Sequence, residues 1–173
     1  MHKSLQESVS QLIATKNYHE VIKDALLLIV DGKMNSIALN ELLASKNIRR
    51  ISDMKEHTLD VILDYAEMIL EDDVLTDEEM TNMRFMKMFF NIQERDFEKN
   101  GKSKRVEEIL TSQLERLYAD NVIDEKEMLH KSDLQGLFGL SYDEYSAIVN
   151  KVAEKALQRG ANIKDLDTYI KQK

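Results

Sequence analysis

Apolar residues recur at spacings of three and four along most of this chain, which is the pattern of amphipathic helices. At the N-terminus the spacing predicts three short helices, over residues 5–13, 21–30 and 37–44. Gly32 follows the second helix, and glycine readily adopts the left-handed turn that ends a helix. The polar residues 46–50 predict a connection to the rest of the chain.

The next part of the chain contains an internal repeat. Residues 72–80 recur 48 residues later as residues 120–128, without a gap. In each copy a long helix with one apolar face ends, an acidic loop follows, and a second helix begins. Because a repeat at a fixed spacing identifies a structural unit, we assign residues 51–100 to one copy and residues 101–150 to the other.

The whole pattern predicts an all-α fold, a compact helical bundle of antiparallel helix pairs in a single domain. Residues 28–35 resemble the same junction of helix and acidic turn, so residues 1–50 are either a third, degenerate copy or a separate set of helices. Ser141 and Glu144 have the Ser-x-x-Glu spacing that begins a helix. Residues 151–173 are predicted to complete the bundle with C-terminal helices.

The helix after the first acidic junction is rich in methionine and phenylalanine. Four of these residues have the spacing of a core-facing side: Met80, Met83, Met86 and Phe90. Three others lie off that side and are candidates for a partner-binding groove: Phe85, Met88 and Phe89. Methionine suits such surfaces because its flexible side chain adapts to different partners.

The composition agrees with helices and argues against several classes of function. The chain has 173 residues, no proline and only five glycines, and both residue types weaken helix interiors. Charged residues make up 32% with a formal net charge of −8, which argues against a globally basic nucleic-acid binder. The absence of cysteine excludes thiol catalysis, disulfides and thiolate metal sites.

We expect a cytoplasmic protein that does not insert into membranes. The longest apolar run, residues 25–30, is much shorter than the roughly 20 residues that a membrane-spanning helix needs. Residues 1–8 lack the apolar stretch of a signal peptide.

The acidic junctions are the strongest functional lead in the sequence. Residues 71–79 contain six carboxylates and no basic residue. Much of this pattern is helix capping, because Thr76 with Glu79, and Asp124 with Glu127, have the spacing of a capping box. We therefore interpret the two glutamates first as capping residues.

Asp72 and Asp120 are less easily explained by capping. Each follows a helix C-terminus, where the helix dipole disfavours negative charge by about 0.3–1 kcal/mol. Their carboxylates either accept hydrogen bonds from the loop's own N–H groups or help to bind a divalent cation, Ca²⁺ or Mg²⁺. The loops are not EF-hands, since Val74 and Asp77 occupy positions that need a ligand and a glycine.

Other chemical signatures are absent from the sequence. The four histidines are scattered without a zinc-binding motif and are interpreted as surface residues rather than ligands: His2, His19, His57 and His130. No glycine-rich phosphate loop or nucleophile motif is present. Clustered carboxylates can perform acid–base or metal-assisted chemistry, but no motif specifies a reaction.

At its junctions the chain resembles the TerB-like family of helical tellurite-resistance proteins. The resemblance is carried by residues 118–127 and 70–79, in which a helix end with an aspartate precedes an apolar pair and an acidic helix start. It covers about residues 20–150. Asp73 and Asn121 depart from the family pattern, which has glycine at those positions.

The resemblance implies binding rather than catalysis. It implies an all-helical protein with a divalent-cation site at the acidic positions, which here are Asp72, Glu79, Asp120 and Glu127. It also implies a role in a bacterial stress, metal-response or defence complex, with a protein partner. The main alternative is an acidic interaction or immunity protein that neutralises a basic toxin or other basic partner.

Overall fold

A computed structural model describes residues 3–71, 75–117 and 134–159 of this protein. All regular structure in these ranges is helical, which confirms the predicted all-α class. The helices are α1 Leu5–Thr15, α2 Glu20–Val30, α3 Ser36–Ser45, α4 Lys55–Ile69, α5 Asp77–Phe89, α6 Asp96–Lys99, α7 Ser103–Leu117, α8 at 134–138 and α9 Tyr142–Gln158. A short 3₁₀ turn, Ile51–Met54, precedes α4.

Helix α4 lies at the centre of the bundle. It packs against α1, α5 and α7, and nine of its 15 residues are buried. Helices that follow one another at the N-terminus also pack together, α1 against α2 and α2 against α3. Short loops join them, as in helical hairpins. None of the described helices combines the length and the hydropathy that crossing a membrane requires.

The N-terminal helices agree closely with the periodicity of the sequence. Helices α1, α2 and α3 each extend by one or two residues beyond the predicted apolar ranges, because capping residues and polar ends carry no periodic signal. Gly32 has a left-handed backbone with φ 70°, as predicted for the end of α2. The 3₁₀ turn and α6 were not predicted, since four residues are too short to show a helical period.

Two turns separated by 48 residues share the same backbone geometry. Asn91 and Gly139 both have left-handed conformations, with φ 51° and 64°. In each turn the next N–H donates to the carbonyl five residues earlier, Ile92 to Lys87 at 2.8 Å and Leu140 to Gln135 at 3.3 Å. This pattern is the Schellman helix ending.

The same offset separates two whole helices. Lys55 and Ser103 begin α4 and α7, which are both 15 residues long. These local matches agree with the predicted repeat. The second acidic junction lies outside the described residues, so the repeat as a whole stays a prediction.

The methionine-rich helix α5 divides into a core side and an outer side as predicted. Its core-facing residues are all buried: Met80, Met83, Met86 and Phe90. Leu75, just before the helix, is partly buried and packs on the same core. Phe85 and Met88 point away from the core and are exposed.

Shortening a side chain should lower the free energy of unfolding much more on the core side of α5 than on its outer side. We expect Met86→Ala to lower the free energy of unfolding by about 2–5 kcal/mol, because it leaves a cavity in a filled core. The matched control Met88→Ala, on the exposed side, should change it by less than about 0.5 kcal/mol. Urea denaturation of both variants tests this division, and equal losses would contradict it.

Candidate functional site

Glu79 is a helix-capping residue in the structure. Its Oε2 accepts hydrogen bonds from the backbone N–H of Thr76 at 2.9 Å and from the Thr76 hydroxyl at 2.8 Å. The Glu79 N–H donates back to that hydroxyl at 3.2 Å. The predicted capping box is confirmed, and it accounts for Glu79 without a ligand.

The other three predicted metal ligands, Asp72, Asp120 and Glu127, lie outside the described residues. Across residues 3–71, 75–117 and 134–159, no three His, Asp or Glu side chains are grouped so that they could hold a metal ion. The cation hypothesis therefore stays a prediction that rests on residues of the two acidic loops.

The structure brings a basic residue to the first acidic junction. Arg116, in the last turn of α7, donates from Nη1 to the carbonyl oxygens of Leu70 at 3.2 Å and Glu71 at 3.4 Å. These carbonyls end α4, where the helix dipole is negative and a cation is stabilising. The negative end of α4, which leads into the junction, thus has a positive partner that is distant in the sequence.

The outer side of α5 carries a compact apolar surface, which we call the α5 outer strip (Phe85, Met88 and Phe89). The Phe85 side chain is 47% exposed and Met88 is 73% exposed, while Phe89 is half-buried. Because these residues are three and four positions apart, they lie on neighbouring turns of one helix face. The sequence-based assignment to a surface off the core is confirmed for Phe85 and Met88, whereas Phe89 is partly buried and packs against the core.

Lys87 holds α5 against the short helix α8. Its ammonium group donates a hydrogen bond to the backbone carbonyl of Leu137, in the last turn of α8. Burial, together with the nearby positive charge of Arg84, lowers the pKa of Lys87 to about 8. A charge that folding removes from water in this way reduces stability at neutral pH.

The titration of Lys87 gives a pH signature. The folded pKa lies below the usual 10.5, so the unfolded chain binds more protons between about pH 8 and 10.5 and stability rises with pH in that window. We therefore expect the stability of Lys87→Met, measured relative to the wild type, to decline as pH rises from 7 to 10. The control is Lys104→Met, at an exposed lysine, and urea denaturation at each pH is the measurement. A stability difference between Lys87→Met and the wild type that does not change with pH would contradict the lowered pKa of Lys87.

A network of charged groups on α4 was missed by sequence analysis. Its centre is Asp64, which is only 7% exposed. Asp64 accepts hydrogen bonds from the Tyr18 hydroxyl at 2.8 Å and from Arg105 Nη2 at 2.6 Å, and Lys16 Nζ lies 3.1 Å from Oδ1. We call these four residues the Asp64 cluster.

The network extends along α4 on both sides of Asp64. Arg105 also pairs with Glu67 at 3.0 Å, one turn further along the helix. In the other direction, Asp60 pairs with Lys102 at 2.7 Å and lies 3.6 Å from Arg105. Each basic group in this network therefore has a carboxylate partner.

The network sets the ionisation of its central residues. Burial raises the pKa of Asp64, but the hydrogen bonds from Arg105, Tyr18 and Lys16 lower it more, and the net pKa lies below the usual 3.8. Burial and the hydrogen bond to Asp64 raise the pKa of the Tyr18 phenol far above its usual value. Asp64 is thus a charged carboxylate and Tyr18 a neutral donor at neutral pH.

A cleft of about 240 Å³ opens beside the Asp64 cluster. It is lined by Lys16, Asn17, Tyr18, His19, His57, Asp60, Asp64 and Arg105. The rings of His19 and His57 are close together in it, with centroids 5.1 Å apart and an interplanar angle of 34°. The expectation that these two histidines lie at the surface is confirmed, but they are neighbours rather than scattered.

The sequence contained a partial signal for this region. His57, Asp60, Asp64 and Glu67 are three or four residues apart, so they form one polar stripe on a helix that is otherwise largely apolar. The stripe could have indicated a buried polar contact. It could not have identified the partners, because those come from α7 and from the loop between α1 and α2.

No protein-family model, curated protein or solved structure matches this chain. The resemblance to the TerB-like family consequently stays a prediction.

The hydrogen bond between Tyr18 and Asp64 predicts a measurable stability loss. We expect Tyr18→Phe to lower the free energy of unfolding at pH 7 by about 1.5–3 kcal/mol, since it removes a donor to a charged, buried acceptor. The control is Tyr142→Phe, at an exposed tyrosine, with an expected change below about 0.5 kcal/mol.

The same variant has a predictable acid dependence. The folded pKa of Asp64 is below the unfolded one, so the stability from its charged form is present above about pH 4 and is lost as pH falls through the folded value. The difference in the free energy of unfolding between the wild type and Tyr18→Phe should therefore shrink below about pH 4. Denaturant titrations from pH 7 to pH 3 measure it, and a constant difference would show that the bond does not depend on the charge.

Proposed function

We propose that the protein is a non-enzymatic helical binding module, and that the α5 outer strip docks an amphipathic, basic helix of a partner protein. The observation that carries this proposal is the exposure of Phe85 and Met88 side by side on one helix face. An amphipathic helix recognises such a surface by placing its own apolar side chains on it.

The chemistry of the strip suits helix recognition. Methionine and phenylalanine supply apolar contact area, and the unbranched methionine side chain can adjust to the shape of a partner. The strip is also firmly supported, because Met83 and Met86 on the opposite side of α5 are buried in the core. A site on a well-packed helix is positioned more accurately than one on a loop.

The net charge of the molecule favours a basic partner, although the exposed Arg84 adds one positive charge beside the strip. Asp77 and Glu78 are exposed in the first turn of α5, on the same helix as the strip. The chain as a whole has a formal net charge of −8. A partner with apolar anchors and flanking Lys or Arg residues would meet both the apolar strip and the acidic end, and opposite charge accelerates such encounters.

This proposal includes the two functions suggested by the sequence. A basic toxin neutralised by an immunity protein is one kind of partner with the required chemistry. A TerB-like component of a stress or defence complex is another. A response to Ca²⁺ or Mg²⁺ is a separate prediction, which rests on Asp72 and Asp120.

Site-specific photocrosslinking tests the docking surface. A benzophenone amino acid replaces Phe85 or, as the matched control, Ile37, which is 70% exposed on α3. In the native cell we expect position 85 to give one product of defined mass that position 37 does not give. The partner identified from that product should carry a basic amphipathic helix.

The purified partner then tests specificity. Its binding should weaken as salt concentration rises, and Phe85→Asp with Met88→Asp should abolish binding while leaving the free energy of unfolding within about 1 kcal/mol of wild type. Undiminished binding by this double variant, or equal crosslinking at positions 85 and 37, would refute the proposed surface.

A further inference from the structure

The tight turn between α6 and α7 contains the one asparagine of this chain that is followed by glycine, Asn100–Gly101. Both residues are exposed to water. Asparagine is among the chemically labile residues of proteins. Glycine has no Cβ, so it hinders a reaction of its backbone nitrogen less than other residues do. Neither residue belongs to the α5 outer strip, and the chemistry of this turn is independent of the proposed docking function.

The reaction open to this pair is deamidation. The backbone nitrogen of Gly101 attacks Cγ of Asn100, and the new carbon–nitrogen bond closes a succinimide ring. The bond between Cγ and Nδ2 breaks, and Nδ2 leaves as ammonia with the proton that the Gly101 nitrogen gives up. Water then opens the ring at either carbonyl carbon, which leaves aspartate or its isomer isoaspartate at position 100.

The backbone of Asn100 holds the reacting atoms apart. Its ψ is 18°, so the Gly101 nitrogen is nearly eclipsed with the backbone nitrogen of Asn100 and is turned away from Cβ. Ring closure requires the Gly101 nitrogen on the same side of the Cα–C bond as Cβ, next to the side-chain amide. Because such a reaction needs its atoms in near-attack geometry, ψ must rotate before the ring can form.

Three hydrogen bonds oppose this rotation. Nδ2 of Asn100, the leaving group, donates to the backbone carbonyl of Asp96 at 2.7 Å. The Gly101 N–H, which carries the attacking nitrogen, donates to the carbonyl of Glu98 at 3.1 Å. The Lys102 N–H donates to the carbonyl five residues earlier at 2.7 Å, and Gly101 has the left-handed φ of 70° that completes a Schellman helix ending. Both the attacking and the leaving nitrogen are therefore held in the closed turn.

Both flanks of the turn are anchored to the rest of the bundle. On one side Phe97 of α6 is buried and lies edge-to-face with Phe138, with ring centroids 5.9 Å apart. On the other side Lys102 pairs with Asp60 of α4 at 2.7 Å. Opening the turn strains or breaks these contacts, so the open conformation has a higher free energy than the closed one.

We propose that Asn100–Gly101 is a deamidation site that the folded turn protects, and that it reacts from chains in which this turn has opened. The aspartate product lacks the amide donor to Asp96 and places a new negative charge near two acidic residues, Asp96 and Glu98. Isoaspartate also routes the backbone through the side-chain carbon, which lengthens the chain just before α7. The modification thus destabilises the turn that prevented it and marks each chain in which the turn has been open.

Incubation of the full-length protein in mildly alkaline buffer tests the site, with one sample native and one unfolded in guanidinium chloride. Peptide mapping by mass spectrometry measures the rate of conversion at position 100. We expect this rate to be at least about tenfold lower in the native protein, because only the open fraction of the turn reacts. Asn47 is the internal control in the unfolded chain and should convert more slowly than Asn100, since the β-branched Ile48 follows it.

A variant pair tests whether the turn itself gives the protection. Phe97→Leu loosens the anchor of α6 and should raise the rate at Asn100 in the native protein at least about threefold, with the rate in the unfolded chain unchanged. The matched control Phe85→Leu, at an exposed phenylalanine, should leave both rates within about twofold of wild type. Equal rates in the native and unfolded wild type would overturn the proposal. So would an Asn100 that stays unmodified in the unfolded chain while Asn47 converts.

Discussion

A buried carboxylate on the central helix is the constraint on which the arrangement of the bundle depends. Asp64 lies on α4, whose other faces are filled with apolar side chains. The Asp64 residue is only 7% exposed. A buried charge is tolerated only when other groups compensate for the lost hydration. The compensation comes from Tyr18 between α1 and α2 and from Arg105 on α7. The loop and the helix must therefore approach α4 at one height and on one side.

This arrangement favours one packing of the helices more than it raises the free energy of unfolding. A well-packed apolar substitute for a buried ion pair can be as stable as the pair itself, whereas an unpaired charge is strongly destabilising. In the observed packing Lys16, Tyr18 and Arg105 all reach Asp64. A displaced register of α1 or α7 would leave this carboxylate buried without those partners, which is strongly destabilising. The network thus favours the observed register over displaced ones.

The sequence predicted what depends on neighbouring residues and missed what depends on distant ones. Helix positions, the Thr76–Glu79 cap and the two sides of α5 follow from spacings of three and four, which are properties of a single helix. The Asp64 cluster joins residues 41 and 46 positions apart. The adjacent rings of His19 and His57 likewise belong to residues far apart in the sequence, and the two histidines share no motif. Such contacts depend on how the helices pack against one another. The periodicity of one helix shows which of its sides is polar, but not which residues of another helix will contact that side.

Arg116 joins the last turn of α7 to the carbonyl end of α4, the two helices that precede the acidic junctions. Its guanidinium holds the carbonyls of Leu70 and Glu71, which lead into the first loop, while its own backbone lies four residues before Asp120 in the second. A ligand or partner that alters this contact at the end of one helix therefore acts on the other helix through the same side chain. By reciprocity, the free-energy effect is equal in both directions.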